Sequence, residues 1–161
     1  MFITFEGPEG SGKSTQLPQL AQFLEEKGLS VVRTREPGGT KIGDQIREVL
    51  VRMDNIELHP RTEILLFLAA RAQLVEELII PSLQQGKIIL CDRYGDSTLA
   101  YQGYGHGLDL DTLRAMLHFA TGGLKPDLTI LLDFDVMTGL KRKKIKEEWN
   151  RLDAYELSFH E

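Results

Sequence analysis

Apolar residues recur along the chain in two rhythms. Short β-rich runs occupy Phe2 to Phe5, Leu29 to Thr34, Lys87 to Cys91 and Leu128 to Leu132. Between them lie longer stretches with the three- and four-residue apolar spacing of one helix face. The first runs from about Ser14 to Lys27, with Gly28 as its stop signal. Lys41 to Arg52 follows, with Ile42, Ile46, Val49 and Leu50 on one side. Pro60 opens a longer helix through Leu65, Phe67, Arg71 and Leu78 towards Leu83. Asp109 to Thr121 forms another, with Asp109 as a candidate cap and Gly122-Gly123 at its end, and Val136 onwards is helical and strongly charged. Strand and helix alternate, which predicts an α/β fold around a largely parallel sheet.

Two local features modify this picture. Ile64 to Ala70 is apolar almost all round, the mark of a helix buried on several sides, by the core or by a partner subunit. Prolines interrupt two helices. Pro81 is expected to kink or end the long one, and Pro18 calls for a kink or a tightened first turn in the first.

Composition narrows the class without choosing a function. A chain of 161 residues, 42% hydrophobic, suits one globular domain. Lone Cys91 has no internal disulfide partner, and no secretory signal or apolar stretch of spanning length is visible, so the expected setting is the cytoplasm, without a membrane. With 24 acidic against 19 basic side chains, the net charge of −5 argues against a nucleic-acid binder. Yet Lys141, Arg142, Lys143, Lys144 and Lys146 crowd one short stretch.

The strongest chemical signal is Gly7-Pro8-Glu9-Gly10-Ser11-Gly12-Lys13-Ser14, which fits G-x-x-x-x-G-K-[ST] with a strand before and a helix after. Small residues let backbone N–H groups close around phosphate oxygens, and the helix N-terminus favours negative charge. Lys13 can reach the β/γ-phosphates, and the Ser14 hydroxyl can help hold Mg²⁺. An incidental lysine in a tight strand–helix turn is the bland alternative; the complete motif with both flanks argues against it. Asp92, in Asp92-Arg93-Tyr94 at the end of the third strand, is positioned like a Walker-B acid and could hold Mg²⁺ directly or through water.

Further clusters point to a second phosphorylated ligand. Arg35-Glu36-Pro37-Gly38-Gly39-Thr40 follows the second strand, at the sheet edge where open α/β folds bind ligands. Arg47 lies further along the next helix. Phe67 and Arg71 are four apart on one helix face, so a ring and a guanidinium there could stack on a base and bond its edge. These residues leave open a nucleoside monophosphate kinase with any of several acceptor bases. They also leave open a non-catalytic module that binds ATP to regulate a partner.

Combined, the motifs resemble the thymidylate kinase family in its bacterial form. The matching elements are Phe5 through Thr15, Arg35 through Thr40, Arg61-Thr62-Glu63 leading to Phe67 and Arg71, Asp92-Arg93-Tyr94 with Ser97, Ala100-Tyr101-Gln102-Gly103 and Lys125 through Thr129. The phosphate loop is generic, whereas the Arg-Glu-Pro-Gly-Gly segment and the Asp-Arg-Tyr to Tyr-Gln-Gly region are specific together. The resemblance implies a three-layer P-loop nucleoside monophosphate kinase fold with a parallel central sheet, one kinase domain over residues 1–161. It implies the reaction ATP + dTMP → ADP + dTDP, with Mg²⁺. ATP would be held by Gly7, Pro8, Glu9, Gly10, Ser11, Gly12, Lys13, Ser14 and Thr15, and the metal by Ser14 and Asp92. Glu9 would contact the 3′-hydroxyl region of dTMP, Arg35 and Arg93 its phosphate, and Phe67 would stack on thymine. Arg71 and Gln102 would address the base edges, with Ser97 and Thr98 nearby, and Tyr101 would lie under the sugar and disfavour a 2′-hydroxyl.

The basic stretch resembles the family's lid, spanning about residues 139–153. Pro8, Glu9, Gly10 and Ser11 bring no cation to the phosphate loop, so the lid is expected to supply it, through Arg142 and Arg151. With Lys13 and Arg93 these complete the implied catalytic set. A homodimer, built on the apolar helix around Leu65 to Ala70, is also implied. The family continues past residues 159–161 with a further helix and a last strand, so the chain is expected to be C-terminally incomplete relative to it. Asp133 and Asp135 are expected to cap or turn, His59, His106, His118 and His160 lack metal-ligand spacing, and Cys91 reads as a small buried strand residue.

Overall fold

The computed structural model describes residues 1–145, 150–155 and 159. Strand β1 (Phe2–Glu6) leads into helix α1 (Lys13–Glu26), followed by β2 (Val31–Arg35) and α2 (Lys41–Val51). A long helical arm follows as α3 (Pro60–Leu74), a π-helical turn (Val75–Ile79) and α4 (Ile80–Gln84). Then come β3 (Ile88–Asp92), α5 (Gly95–Thr98), a second π-helical turn (Leu99–Gly105) and α6 (Leu110–Thr121). Strand β4 (Leu128–Leu131), α7 (Val136–Ile145) and a 3₁₀ turn (Arg151–Ala154) end the described elements. Lys146, part of the basic stretch, and His160 lie outside the described residues, as do residues 146–149 of the expected lid.

Among the described residues, four strands pair in parallel throughout, in the order β2-β3-β1-β4. The two inner strands, β1 and β3, alternate their side chains between two cores. Phe2, Ile89 and Cys91 face Leu74, Val75 and Ile79 of the helical arm. Ile3, Phe5 and Leu90 face Leu17 and Ala21 of α1. Covering both faces is what makes these strands read as continuous apolar runs. A third core joins Ile64 and Leu68 of α3 to Leu113, Leu117 and Ala120 of α6. The same α3 leaves Leu65 57% exposed, so its apolar girth is only partly used within the chain.

The prolines resolve differently from each other. Pro81 neither ends nor breaks the long arm, which continues to Gln84. The change of pitch falls just before it, where the Ile80 N–H reaches back to Val75 O, and a wider turn relieves the ring's clash with the preceding carbonyls. Helix α1 runs on through Pro18, and its first turn is tightened: Gly12 O accepts from both Thr15 and Gln16, at 2.9 Å each.

Asp109 caps α6 by accepting from the Thr112 N–H at 2.8 Å, and Gly122 closes that helix in the left-handed conformation. Asp135 caps the start of α7 in the same way through Thr138. Among the described residues, no helix is long and apolar enough to cross a membrane.

Candidate active site

The phosphate loop lies between β1 and α1, at the C-terminal edge of the sheet. Its lysine is folded onto the loop: the Lys13 ammonium donates to Gly7 O at 2.7 Å and Pro8 O at 2.8 Å. Burial, with Arg93 nearby, lowers its pKa to about 8 against the pull of Glu9, Asp92 and Glu6. Gly10 adopts a positive φ of 66°, and a Cβ there would run into the backbone of Gly139 in α7. A Cβ on Gly139 would in turn overlap the Glu9 carbonyl oxygen. Loop and α7 therefore meet backbone to backbone.

A cavity of about 360 Å³ opens over the loop, lined by Gly10 through Thr15, Asp92, Arg142, Lys143 and Ile145. Asp92 stands at the end of β3, and its Oδ1 is buried without a hydrogen-bond partner among the described residues. Burial raises its pKa, opposed by Lys13 and Arg93. An unpartnered carboxylate oxygen in one cavity with the Ser14 hydroxyl is a donor set that fits Mg²⁺, a cation that takes one or two protein oxygens and keeps several waters.

A second cavity, about 160 Å³, opens on the other side of Lys13 and Asp92, both of which also line it. Glu9, Arg35, Phe67, Arg71, Arg93, Ser97, Thr98, Tyr101 and Gln102 all border this cavity. Five separate segments of the chain bring them together: the loop, the end of β2, α3, the Asp-Arg-Tyr turn running into α5, and the second π-helical turn.

Arg93 occupies the left-handed region with φ 69°, rare for a residue other than glycine. Its guanidinium donates to Glu9 Oε1 at 2.7 Å and Ser97 Oγ at 3.1 Å and stacks 5.2 Å over the Tyr101 ring. Burial pushes the pKa of Glu9 up, but Arg93 and Lys143 outweigh it and hold it at about 2. Arg71 is buried against Glu36, bonds Thr98 Oγ1 at 2.9 Å and caps the Tyr94 carbonyl at 2.9 Å. Burial would lower its pKa, but the Glu36 carboxylate keeps it raised. Arg35 is more open and pairs with Asp44 at 3.2 Å.

The expected lid arginines part company. Arg142 sits at the cavity over the phosphate loop, stacked 4.3 Å over Phe134 and 3.4 Å from Gly10 O. Arg151 is turned away from the phosphate loop in this structure. Its guanidinium is buried and donates to Leu50 O at 2.8 Å, Tyr155 Oη at 2.8 Å and Glu63 Oε2 at 2.5 Å. The physical reason is Glu63: a fully buried carboxylate requires a counter-charge, and Arg151 provides it.

Lys143, one of the plain lysines of the run, takes a seat at the loop instead. It bonds Glu9 Oε2 at 3.0 Å and buried Asp153 Oδ1 at 2.7 Å. Arg47 also borders the second cavity and donates to Pro37 O at 2.9 Å. Glu36, Pro37, Val51, Tyr94, Asn150 and Leu152 complete the lining. Lys143 and Asp153 carried no spacing that would single them out, whereas Arg47 stood in view on its helix.

Comparison with known proteins agrees across the chain. A family model described as Thymidylate kinase matches residues 5–161. The thymidylate kinase of Roseiflexus sp. (strain RS-1) is 54% identical over 173 residues, covering 100% of this chain and 76% of the relative. That of Herpetosiphon aurantiacus is 50% identical over 186 residues, with 100% and 79% covered. The crystal structure of thymidylate kinase from Ehrlichia chaffeensis superposes with a TM-score of 0.79 at 40% identity, covering 92% of this chain and 87% of that one.

Proposed function

The chain belongs to the thymidylate kinase family, and from that premise we propose that it transfers the γ-phosphate of ATP to dTMP, forming ADP and dTDP for dTTP synthesis. The observation that carries this reading is the meeting of two cavities at Lys13 and Asp92. One is a phosphate cradle, and the other is lined by a ring, guanidinium groups and an amide suited to a nucleoside monophosphate.

The attacking atom is a phosphate oxygen of dTMP, already anionic near neutral pH, so no strong base is needed. Catalysis is alignment and charge neutralisation. Lys13 approaches the transferred group from the loop. Arg93 and Arg35 hold the acceptor phosphate, and the Glu9 pairing fixes the guanidinium of Arg93. Phe67 stacks on thymine, Arg71 and Gln102 address its edge beside Thr98 and Ser97, and Tyr101 lies under the sugar. Ser14 and Asp92 would hold Mg²⁺, which would supply further neutralisation of phosphate charge. The segment of about 139–153 acts as a lid whose Arg142 and Lys143 cover the donor site and exclude water.

The same reading takes the protein to be a cytoplasmic homodimer. The apolar groove between α3 and α6, lined by Ile64, Leu65, Leu113 and Met116, supports the dimer. So does Phe119, 89% exposed on α6. The concentration dependence of mass in solution tests it.

A coupled assay of ADP release with dTMP, dUMP, dGMP, CMP and AMP, with and without Mg²⁺, tests the activity. The expected result is Mg²⁺-dependent turnover greatest with dTMP. Preference for another monophosphate would overturn the acceptor assignment, and ATP binding without stimulated turnover would overturn the enzyme.

A further inference from the structure

Glu63 is fully buried in the first turn of α3, outside the cavity lining, and both of its oxygens are engaged. Oε1 accepts from Gln102 Nε2 at 2.9 Å and lies 3.1 Å from His106 Nε2. Oε2 accepts from Arg151 at 2.5 Å and from the Tyr155 hydroxyl at 3.0 Å. Burial pushes its pKa up, but the hydrogen bonds from Arg151 and Gln102 outweigh burial and lower it. A carboxylate so held only accepts hydrogen bonds.

That fact orients Gln102. An amide presents an N–H₂ end and a carbonyl end, and only the N–H₂ end can face a carboxylate. Glu63 thus leaves the Gln102 carbonyl oxygen as the acceptor offered to a ligand in the cavity that this residue lines. Arg71, buried in the same wall, offers donors alone. One fixed donor and one fixed acceptor form a pattern. Thymine presents a carbonyl oxygen at C4 beside an N3–H donor. Cytosine presents the inverse, an amino donor beside a bare N3 acceptor.

We infer that Glu63 is a specificity-determining positioning residue, which locks the Gln102 amide in the orientation that accepts from thymine N3–H and rejects cytosine. This rests on the dTMP reading above and deepens it. Glu63 touches no substrate. It acts through Gln102, and Arg151 and Tyr155 keep it ionised and in place.

The test is equilibrium binding of dTMP and dCMP to the whole chain by calorimetry, with the preference ratio as the readout. In Glu63→Gln the new amide can donate to a turned Gln102, so the dTMP:dCMP preference is expected to fall about tenfold, the weight of a hydrogen bond made in one orientation and lost in the other. Glu63→Asp keeps an acceptor-only group and should stay closer to the wild-type ratio. A purely structural Glu63 would weaken both ligands alike and lower the melting temperature with the ratio unchanged; that outcome overturns the inference. Should Glu63→Gln fail to fold because Arg151 is left unpaired, the double variant Glu63→Gln/Arg151→Met carries the same expectation. Wild-type protein that binds dCMP as well as dTMP would overturn the dTMP reading itself, before any variant is compared.

Discussion

The proposed donor and acceptor sides of this site are built from different materials. The proposed donor side is mostly backbone: one continuous loop of small residues leading into a helix terminus suited to phosphate, with Lys13 folded upon it. The acceptor side is side chains from five segments, locked by buried pairs such as Arg71 with Glu36 and Arg151 with Glu63. A backbone site tolerates variation around a few fixed positions, whereas a side-chain site depends on partners far away in sequence. Damage to the first should therefore strike turnover, and damage to the second should strike recognition.

Lys13→Ala gives the largest effect that would sharpen this contrast. Turnover is expected to fall about a thousandfold, as for loss of a preorganised cation facing transition-state charge, with the melting temperature close to wild type. Retained turnover would break the contrast at its base. Arg93→Ala should follow, with kcat/KM for dTMP down about a hundredfold, because the charge-assisted bonds to the acceptor phosphate disappear. Steady-state kinetics with varied dTMP reads that loss.

The two arginines of the expected lid then separate the sides directly. Arg151→Ala should destabilise the fold by about 3 kcal/mol, measured by denaturant titration, since it strips a buried carboxylate of its counter-charge. It should also raise the KM for dTMP. Arg142→Ala should instead lower kcat about tenfold while dTMP binding stays near wild type. Equal behaviour of the two variants would mean that Arg151 does reach the donor phosphates during turnover. The smallest effect is pH-dependent. Lys13 is protonated below its pKa of about 8 and neutral above it, so ATP binding should weaken severalfold between pH 7 and pH 9. A flat profile over that window would remove Lys13 as the titrating group.

Legibility in the sequence divides along the same line. Gly7 to Ser14 and the strand before it are contiguous, so the motif carries its own context, and Asp92 follows from the next buried apolar run. Phe67 and Arg71 could be paired by helical spacing alone. Glu63 could not be recognised in this way. An acid in the first turn of a helix has a sufficient local reason to be there, as a partner for the helix terminus, and its real partners lie at positions 102, 106, 151 and 155. The π-helical turn over Leu99–Gly105 was equally hidden, because Gly103 and Gly105 signal loop while the turn is fixed by packing on α6. Lys143 differs from its neighbours in the run only by what it faces, Glu9 and Asp153, and no pattern of charge encodes that.

The close approach of Gly10 and Gly139 has a consequence for how this protein can vary. Most crowded pairs in a core permit compensation, since one side chain grows as the other shrinks. Here each glycine's missing methyl would meet main-chain atoms of the opposite segment, and main chain cannot be trimmed. Neither position has a rescuing partner. A substitution at one can be accommodated only by moving α7 away from the phosphate loop, which ties the tolerance of the loop to a helix whose residues lie more than a hundred positions further along the chain.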